Sequence, residues 1–459
     1  MITDLRPYEA YKESGLPWLG QVPSHWELIP NRGLVRRRKV LVGQRHSEYR
    51  LLSLTKQGVI VRDISTGKGK FSSDMGTSQE VRNGDLIFCF FDVPETPRTV
   101  GLSPHEGMIT GAYTVFEFLG KGSREFFELF YRAMDDRKLL SPLYSGLRNT
   151  IPAERFRAVK TPQPLATEQA AIVRFANWAN DRLERAIRAK RKVITLLNEQ
   201  KQVIIQRAVT GGLYPGVTLK PSGIPYLGNV AEHWDVRRAK YLYREVDERS
   251  KDGSEELLSV SHITGVTPRS QKNITMFKAA SYVGHKLCQP GDLVVNTMWA
   301  WMGALGVSAY AGIVSPSYAV YRPREPESIV GEYIDHLLRS RPYIGNIICR
   351  SVGLRGSRLR LYPEEFFRLP LILPPVEEQG QIVNEVRQKT AHMGAKISRL
   401  ERGIELLREY RTRLVADVVT GKLDVRVIAA GLPEEAPPDV PSDAADLIEE
   451  PEAAEQEIV

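Results

Sequence analysis

The chain has 459 residues, enough for two or three domains with buried cores, and its 42% hydrophobic and 26% charged residues are typical of an ordinary globular protein. No stretch approaches 18 uncharged apolar residues and the N-terminus lacks an apolar signal core, so neither a membrane span nor a secretory signal is predicted. The three cysteines lie far apart without zinc-ligand spacing, which favours a reducing, cytoplasmic location.

The net charge of +8 combines an acidic C-terminal segment with a strongly basic remainder. Residues 432–459 contain ten acidic side chains and no Lys or Arg. Residues 1–431 therefore carry 63 basic and 45 acidic side chains, a net charge of +18. Such a balance favours a polyanionic partner, most often nucleic acid, although basic enzymes are also common. Residues 425–459, which end in this Pro-, Ala- and acid-rich sequence, are predicted to form a disordered tail.

A long internal repeat runs through the rest of the chain. The motifs recur in one order, at offsets that drift only between 206 and 210 residues. The pairs are Gly15–Gly20 with His25-Trp26 and Gly223–Gly228 with His233-Trp234; Leu51–Leu54 and Leu257–Val260; Gly84–Leu86 and Gly291–Leu293; Gly146–Arg148 and Gly353–Arg355; Pro164–Gln169 and Pro374–Gln379; and Val209–Gly211 and Val419–Gly421. The series predicts a tandem duplication of one unit. The recurrence of the His-Trp pairs in a turn-like segment favours a packing role for them.

Each repeat begins with a globular segment, at 1–162 and 213–372. Short β-like runs occur at 85–91 and 292–295, and short amphipathic helices are predicted around 125–134 and 331–339. Gly and Pro separate these elements, so a compact α/β or β-rich domain is expected.

Each repeat ends with one long helix, within 163–212 and 373–424. The proline-free intervals 167–209 and 377–419 follow prolines and stop at Thr-Gly pairs, as helix boundaries commonly do. A helix of that length extends over roughly 60 Å at 1.5 Å per residue.

The apolar residues of both helices follow a heptad pattern. The alternating steps of three and four are typical of a coiled-coil seam, although each helix packing on its own domain is the alternative. The first helix leads into the second domain, so a pairing with the returning second helix must be antiparallel. The predicted fold is α+β: two tandem-duplicated α/β domains separated by a long antiparallel two-helix coiled coil, with an approximate two-fold axis. The seam residues singled out are Leu183, Ile187, Ile194, Leu197, Met393, Ile397, Leu400, Ile404 and Leu407.

The sequence shows no recognisable catalytic or cofactor motif. It contains no phosphate-binding loop, no dinucleotide fingerprint, no His or Cys metal-ligand spacing and no amino-methyltransferase Pro-Pro loop in the folded region. A chain that binds, without catalysis or a metal of its own, is therefore expected.

Basic clusters in Gly-rich or turn-like segments are the candidate nucleic-acid contacts. Glycine allows the backbone to approach closely, while Arg and Asn bind phosphates or base edges. The stretch 296–303 adds two tryptophans, which could read bases or belong to the core. A solvated surface charge is the alternative for any single Arg, but paired loops at one position of each repeat favour DNA binding. The candidates are Arg36, Arg37, Arg38, Arg148, Asn149, Arg237, Arg238, Asn296, Arg355, Arg358 and Arg360.

In these duplicated motifs, from residue 1 to about 424, the chain resembles the DNA-specificity (S) subunit of Type I restriction-modification enzymes. The first helix start, Gln163-Pro164-Leu165, departs from the usual double proline. The resemblance implies two target-recognition domains, 1–162 and 213–372, each reading half of a split DNA sequence. It also implies that the helices 163–212 and 373–424 separate these domains and dock two methyltransferase subunits, through which restriction subunits join. S-adenosylmethionine, ATP and Mg²⁺ are then expected in the partner subunits.

Two other classes of function are weighed against this one. A fused nuclease with an unrecognised site would cleave DNA with Mg²⁺, but no acidic-lysine nuclease pattern is present. A coiled-coil scaffold that binds only protein would not need a body with a charge of +18. A salt-dependent DNA-binding titration distinguishes the scaffold from a DNA-binding protein.

Overall fold

In the computed structural model, residues 5–62, 75–120, 122–214, 216–224, 227–271, 281–353 and 359–433 are described. The chain divides into two compact units. Unit 1 contains residues up to 189 and from 403 onward, and unit 2 contains residues 190–402. Each unit holds one mixed domain of antiparallel sheets and short helices, together with parts of two long helices.

Unit 1 contains most of the elements of the first repeat. Its helices are α1 (Arg124–Asp136), α2 (Ala153–Ala158) and the first half of α3 (Ala166–Gly211). Its strands are β1 (Tyr11–Glu13), β2 (Gln21–Pro23), β3 (Glu27–Pro30), β4 (Val35–Arg38), β5 (Leu52–Thr55), β6 (Gly58–Val61), β7 (Gln79–Val81), β8 (Leu86–Phe88), β9 (Val100–Leu102), β10 (Gly107–Ile109), β11 (Thr114–Phe118) and β12 (Lys160–Gln163).

Unit 2 contains the elements of the second repeat. Its helices are α4 (Ala239–Leu242), α5 (Gly331–Leu338), α6 (Arg341–Arg350), α7 (Pro363–Phe367) and the first part of α8 (Val376–Val419). Its strands are β13 (Leu219–Pro221), β14 (Asn229–Ala231), β15 (Asp235–Arg238), β16 (Tyr243–Val246), β17 (Leu258–Ser261), β18 (Gly265–Pro268), β19 (Lys286–Cys288), β20 (Leu293–Val295), β21 (Leu305–Val307), β22 (Gly312–Val314), β23 (Ala319–Pro323) and β24 (Pro370–Leu373).

The two units have the same strand pairings. The four-stranded sheet has the order β4-β11-β8-β9 in unit 1 and β16-β23-β20-β21 in unit 2. The two-stranded pairs correspond one by one: β1-β2 with β13-β14, β3-β12 with β15-β24, β5-β6 with β17-β18, and β7-β10 with β19-β22. The short predicted helices are confirmed as α1 and α5, whereas the run 85–91 is a strand only over Leu86–Phe88.

Aromatic side chains dominate both cores. In unit 1, Trp26, Phe88 and Tyr131 are fully buried in one cluster, and the Phe88 and Phe156 rings lie 4.7 Å apart. In unit 2, Trp234 is fully buried and the rings of Tyr321 and Phe366 stack at 4.0 Å. Rings of this size supply most of the apolar area that stabilises such cores. The packing role predicted for the tryptophans of the His-Trp pairs is confirmed.

The long helices form where the sequence predicts them. Helix α3 spans Ala166–Gly211 and α8 spans Val376–Val419. In unit 1, Phe175 near the start of α3 and Val418 near the end of α8 belong to one buried cluster. In unit 2, Val209 near the end of α3 and Ile382 near the start of α8 belong to another.

The Glu-Gln motif at each helix start connects the helix to its own domain. The buried Glu168 carboxylate accepts hydrogen bonds from Tyr8 Oη at 2.7 Å and Trp26 Nε1 at 3.0 Å, and contacts His25 Nε2 at 2.9 Å. Gln169 Oε1 accepts from the backbone N–H of Ser123 at 2.6 Å. In unit 2, Glu378 contacts His233 at 2.8 Å and Gln379 Oε1 accepts from the backbone N–H of Val330 at 2.9 Å. In both units the motif therefore fixes the start of the long helix to its own domain.

The predicted start of the acidic tail, residue 425, is too early. Arg426–Ala430 form a further helix, α9, and Val425 and Ala429 are buried in the unit 1 core. Their apolar side chains distinguish this stretch from the acidic sequence that follows. Residues 434–459, predicted to be disordered, lie outside the described residues.

Candidate nucleic-acid interface

Two loops of unit 1 meet where β8 ends. The segment 145–150 folds back on itself, because Ser145 and Thr150 exchange backbone hydrogen bonds of 2.8 and 3.0 Å. The backbone N–H of Asp92 donates to the carbonyl oxygen of Arg148 at 3.0 Å, which holds the two loops together. Asn149 has a φ of 44°, in the left-handed region that Asn tolerates better than most residues. Leu147, Arg148 and Asn149 at the tip are all exposed.

Arg148 is exposed but already has a partner. Its Nε lies 3.1 Å from Asp92 Oδ1, its Nη2 contacts the second carboxylate oxygen, and its guanidinium lies 5.9 Å from the centre of the Phe91 ring. The hydrogen bond from Arg148 lowers the pKa of Asp92. The Arg148 side chain remains 69% exposed, so it can reach a ligand by exchanging Asp92 for a phosphate or a base.

Unit 2 carries a loop at the same place in its fold. Val352 and Arg360 exchange two backbone hydrogen bonds of 2.9 Å, and the backbone N–H of Leu361 donates to Thr297 O at 2.9 Å. Arg360 is exposed, with Nη2 3.7 Å from the sulfur of Met298. The candidate residues Arg355 and Arg358 lie outside the described residues.

The segment after β20 presents aromatic side chains beside this loop. The rings of Trp299 and Trp301 stack at 6.4 Å with an interplanar angle of 17°, and both are half-buried. Asn296 is a correction to the sequence prediction, because its side chain is 4% exposed. Its Oδ1 accepts a hydrogen bond from the backbone N–H of Met298 at 3.2 Å. Asn296 therefore shapes the turn that carries the tryptophans, and its amide is withdrawn from solvent.

The basic cluster on β4 divides into three different environments. Arg36 is exposed and binds Glu117 at 2.7 Å, and this hydrogen bond lowers the pKa of Glu117. Arg37 is exposed. Arg38 is a second correction, because it is 13% exposed and forms an ion pair with Asp85 of the Gly-Asp-Leu motif. Burial raises the pKa of Asp85 despite this partner. Arg38 is therefore largely withdrawn from solvent and holds the Asp85 carboxylate beside the sheet.

Arg237 and Arg238 do not correspond to the β4 cluster, although the sequence suggests a rough equivalence. They lie exposed on β15, which pairs with β24, and Arg237 binds Asp235 at 2.7 Å. The strand equivalent to β4 is β16, where Arg244 takes the position of Arg36. The interpretation fails because similar basic pairs occupy different strands in the two repeats.

Structural comparison gives a match over nearly the whole chain. A chain from the solved structures that describe complex assembly and conformational transition of a type I restriction-modification system is similar over 88% of this chain and 99% of its own length. The TM-score is 0.55 and the sequence identity 16%. The chain has the fold of a Type I restriction-modification protein. This result confirms, at the level of the fold, the resemblance found in the repeated motifs.

Two further structures are similar with lower scores. They are the HsdS subunit from Thermoanaerobacter tengcongensis (TM-score 0.40, 15% identity, 88% of this chain and 98% of its own) and the S subunit of a Type I restriction-modification system from M. genitalium (TM-score 0.32, 10% identity, 86% of this chain and 96% of its own). No protein-family model and no curated protein matches the chain.

The nine apolar residues predicted to form the coiled-coil seam are all buried or half-buried. Ile187, Met393 and Ile404 are buried. The others are half-buried: Leu183, Ile194, Leu197, Ile397, Leu400 and Leu407. Their apolar surface is therefore largely used in packing within the chain.

Other apolar residues of the long helices are exposed. Val193, Leu196 and Val203 of α3 are 44%, 54% and 48% exposed, and Leu406 and Tyr410 of α8 are 60% and 42% exposed. The sequence signal for these positions is an apolar residue beside, not on, the heptad seam. The rule is not general, because Val203 is exposed whereas Ile205 and Val415, which also lie beside the seam, are buried.

The described part of the chain offers no obvious metal centre. No group of three or more His, Cys, Asp or Glu side chains in it could hold a metal ion. In the same residues, no helix is long and apolar enough to cross a membrane.

Proposed function

We propose that the chain is the DNA-specificity subunit of a Type I restriction-modification complex and binds a bipartite DNA target without catalysis of its own. The observation that carries the proposal is the match to a Type I system protein over 88% of the chain. The repeated motifs that resemble S subunits support the same assignment.

In this proposal, each mixed domain reads one half of the target. In unit 1 the exposed Arg148 lies at the tip of a folded-back loop, and in unit 2 the exposed Arg360 lies at the base of the loop at the same point of the sheet topology. Exposed arginines on such loops can bind phosphates and guanine edges in the major groove. Because Trp299 and Trp301 accompany only the second loop, the two domains are expected to prefer different half-sites.

The long helices act as the antiparallel spacer between the two readers. The packing of the start of α3 with the end of α8 in unit 1, and the converse in unit 2, supports opposite helix directions. At 1.5 Å per residue, helices of 46 and 44 residues extend over about 65–70 Å. Such a spacer suits half-sites separated by a non-specific gap.

The exposed apolar residues of the long helices are the proposed docking surface for two methyltransferase subunits. Leu196 and Leu406 are separated by 210 residues, the offset that relates the two helices, and both are more than half exposed. Equivalent positions on a duplicated chain suit two copies of one partner. The methyltransferase and restriction subunits would supply S-adenosylmethionine, ATP and Mg²⁺ chemistry, in keeping with a chain whose sequence lacks such motifs.

The deciding experiment is to co-express the chain with the methyltransferase subunit of its system and map modified adenines across the genome. The expected result is one split motif with a methylated adenine in each half, on opposite strands. An intact complex that binds DNA but modifies nothing would contradict the proposal and leave a two-headed DNA-binding adaptor.

A further inference from the structure

A groove with a basic lining lies on unit 1, between the end of α1 and the C-terminal part of α8. Its volume is about 720 Å³. Six charged residues line it, four of them cationic: Arg137, Arg408, Arg413 and Lys422, with Glu409 and Asp417. The lining thus carries a net charge of +2, four cations less two carboxylates.

The cations of this groove are only partly neutralised. Asp417 is shared between Lys422 at 3.3 Å and Arg413 at 4.0 Å, and the Arg413 side chain is 78% exposed. Arg137 and Arg408 are exposed, and no ion pair within the described residues involves either of them. Exposed charges that lack partners attract an acidic ligand in a salt-dependent manner.

The groove is specific to the second long helix. At the offset of 210 residues, the first helix and its end have Asn198, Val203 and Gly212 in place of Arg408, Arg413 and Lys422. The duplication therefore does not explain these three cations. They occur only in the second copy of the repeat, which is followed by the acidic segment.

The end of the folded chain is fixed on the same unit. The backbone N–H of Asp424 donates to Arg6 O at 2.8 Å, and the Arg174 guanidinium contacts the carbonyl oxygen of Leu432. Residues 434–459 continue from this point with ten carboxylates and no Lys or Arg. These 26 residues can reach at most roughly 85 Å at ~3.3 Å per residue, about twice the width of a domain of this size.

We propose that the acidic segment 434–459 docks in cis in the basic groove lined by Arg137, Arg408, Arg413 and Lys422. Tethering raises the effective concentration of the segment to the millimolar range, so weak charge pairs are sufficient to occupy the groove. The segment then withholds these four cations from other polyanions. The inference does not depend on the proposed role in restriction and modification.

Carbodiimide cross-linking of the full-length chain at low salt tests the proposal, because the reagent joins a lysine amine to a carboxylate in contact with it. Mass spectrometry is expected to find Lys422 joined to tail carboxylates in the monomer, and at least ten-fold less of this product in 0.5 M salt. In the variant Arg408→Glu/Arg413→Glu the product is expected to fall by a similar factor, although Lys422 is retained.

The matched control is Arg399→Glu/Arg402→Glu. These two arginines are exposed on the same helix but outside the groove, and their reversal changes the net charge by the same amount. The control is expected to retain the Lys422 product, and circular dichroism checks that both variants fold.

Four results would overturn docking in cis. One is a Lys422 product found only in cross-linked dimers, which would indicate docking on a second copy. The others are tail products spread evenly over exposed lysines such as Lys12, Lys160 and Lys396, or an unchanged Lys422 product in the groove variant. The last is absence of the product together with weaker duplex DNA binding by the groove variant, which would assign the groove to nucleic acid.

Discussion

Arg322 binds both carboxylate oxygens of Asp292 across the four-stranded sheet of unit 2, with Nε 2.8 Å from Oδ1 and Nη2 2.9 Å from Oδ2. The hydrogen bond to Asp292 raises the pKa of Arg322 above its ordinary value. The equivalent carboxylate in unit 1, Asp85, is paired with Arg38 on β4, whereas Arg322 lies on β23, the equivalent of β11. The aspartate of the Gly-Asp-Leu motif therefore keeps an arginine partner although the two repeats supply it from different strands.

Replacement of Asp292 is expected to destabilise the protein strongly. Asp292 is 2% exposed and also accepts a backbone hydrogen bond from Gln289 at 2.9 Å. Asp292→Ala removes the bidentate partner of the 18% exposed Arg322 guanidinium and leaves it only the Glu248 carboxylate at 3.3 Å, at an expected cost of roughly 2–3 kcal/mol in the free energy of unfolding.

Chemical denaturation followed by tryptophan fluorescence measures this change. The control is Asp235→Ala, which removes the exposed pair with Arg237 and should cost less than about 1 kcal/mol. Equal losses in the two variants would show that the buried pair has no special structural role.

Arg148→Ala is expected to weaken recognition of one half-site only. A guanidinium that binds a base or phosphate typically contributes about 1–3 kcal/mol to the binding free energy. Arg360→Ala should have the same effect at the other half-site, since its loop occupies the equivalent place in unit 2. Affinity for duplexes altered in one half at a time measures both effects, and equal loss at both halves in either variant would refute the assignment.

Leu196→Asp is expected to release one methyltransferase subunit without unfolding the chain. The side chain is 54% exposed, so a charge there costs little in the free subunit but is desolvated in an apolar interface. Native mass spectrometry should show the complex with two methyltransferase copies replaced by one copy.

The adjacent substitution Thr195→Asp is the control for this experiment. Thr195 is exposed on the same helix, and the new charge is identical. Two copies retained in Leu196→Asp, or one copy lost in Thr195→Asp as well, would place the docking surface elsewhere.

The sequence predicts best those elements that depend on the local spacing of residues. The spacing of apolar residues predicts α3 and α8 to within a few residues, because helical periodicity is a local property. The environments of the candidate arginines depend instead on distant residues. Arg38 pairs with Asp85, which lies 47 positions away in the sequence. No local sequence pattern connects the two residues.

Register is the second source of error. Asn296 resembles a base-reading amide in sequence, yet the turn after β20 directs its side chain inward. Likewise, Arg237 lies near the position expected for a counterpart of Arg36, but strand pairing gives that place to Arg244. Side-chain direction alternates along a strand, so a small shift in alignment changes which basic residues are exposed.

Acidification is expected to weaken unit 2 through His336 on α5. Burial lowers the pKa of His336 below its ordinary value of 6.5, and Arg339 and Lys201 act in the same direction, against Asp335 and Glu332. The unfolded chain therefore binds more protons than the folded one as the pH falls from 6.5 towards the folded pKa. His336 therefore costs the folded state no stability above pH 6.5, and it lowers the free energy of unfolding as the pH falls below that value.

Urea denaturation between pH 7.5 and 5 should therefore show a loss of unfolding free energy that His336→Gln reduces. The variant keeps a polar side chain of similar size but has no proton to bind in this range. His392→Gln, at an exposed position on α8, is the control and should retain the pH dependence of the original chain. A largely buried imidazole that stays neutral in the folded chain disfavours folding once the same side chain is charged in the unfolded chain. If the free energy of unfolding falls with pH as steeply in His336→Gln as in the original chain, other groups cause the acid sensitivity.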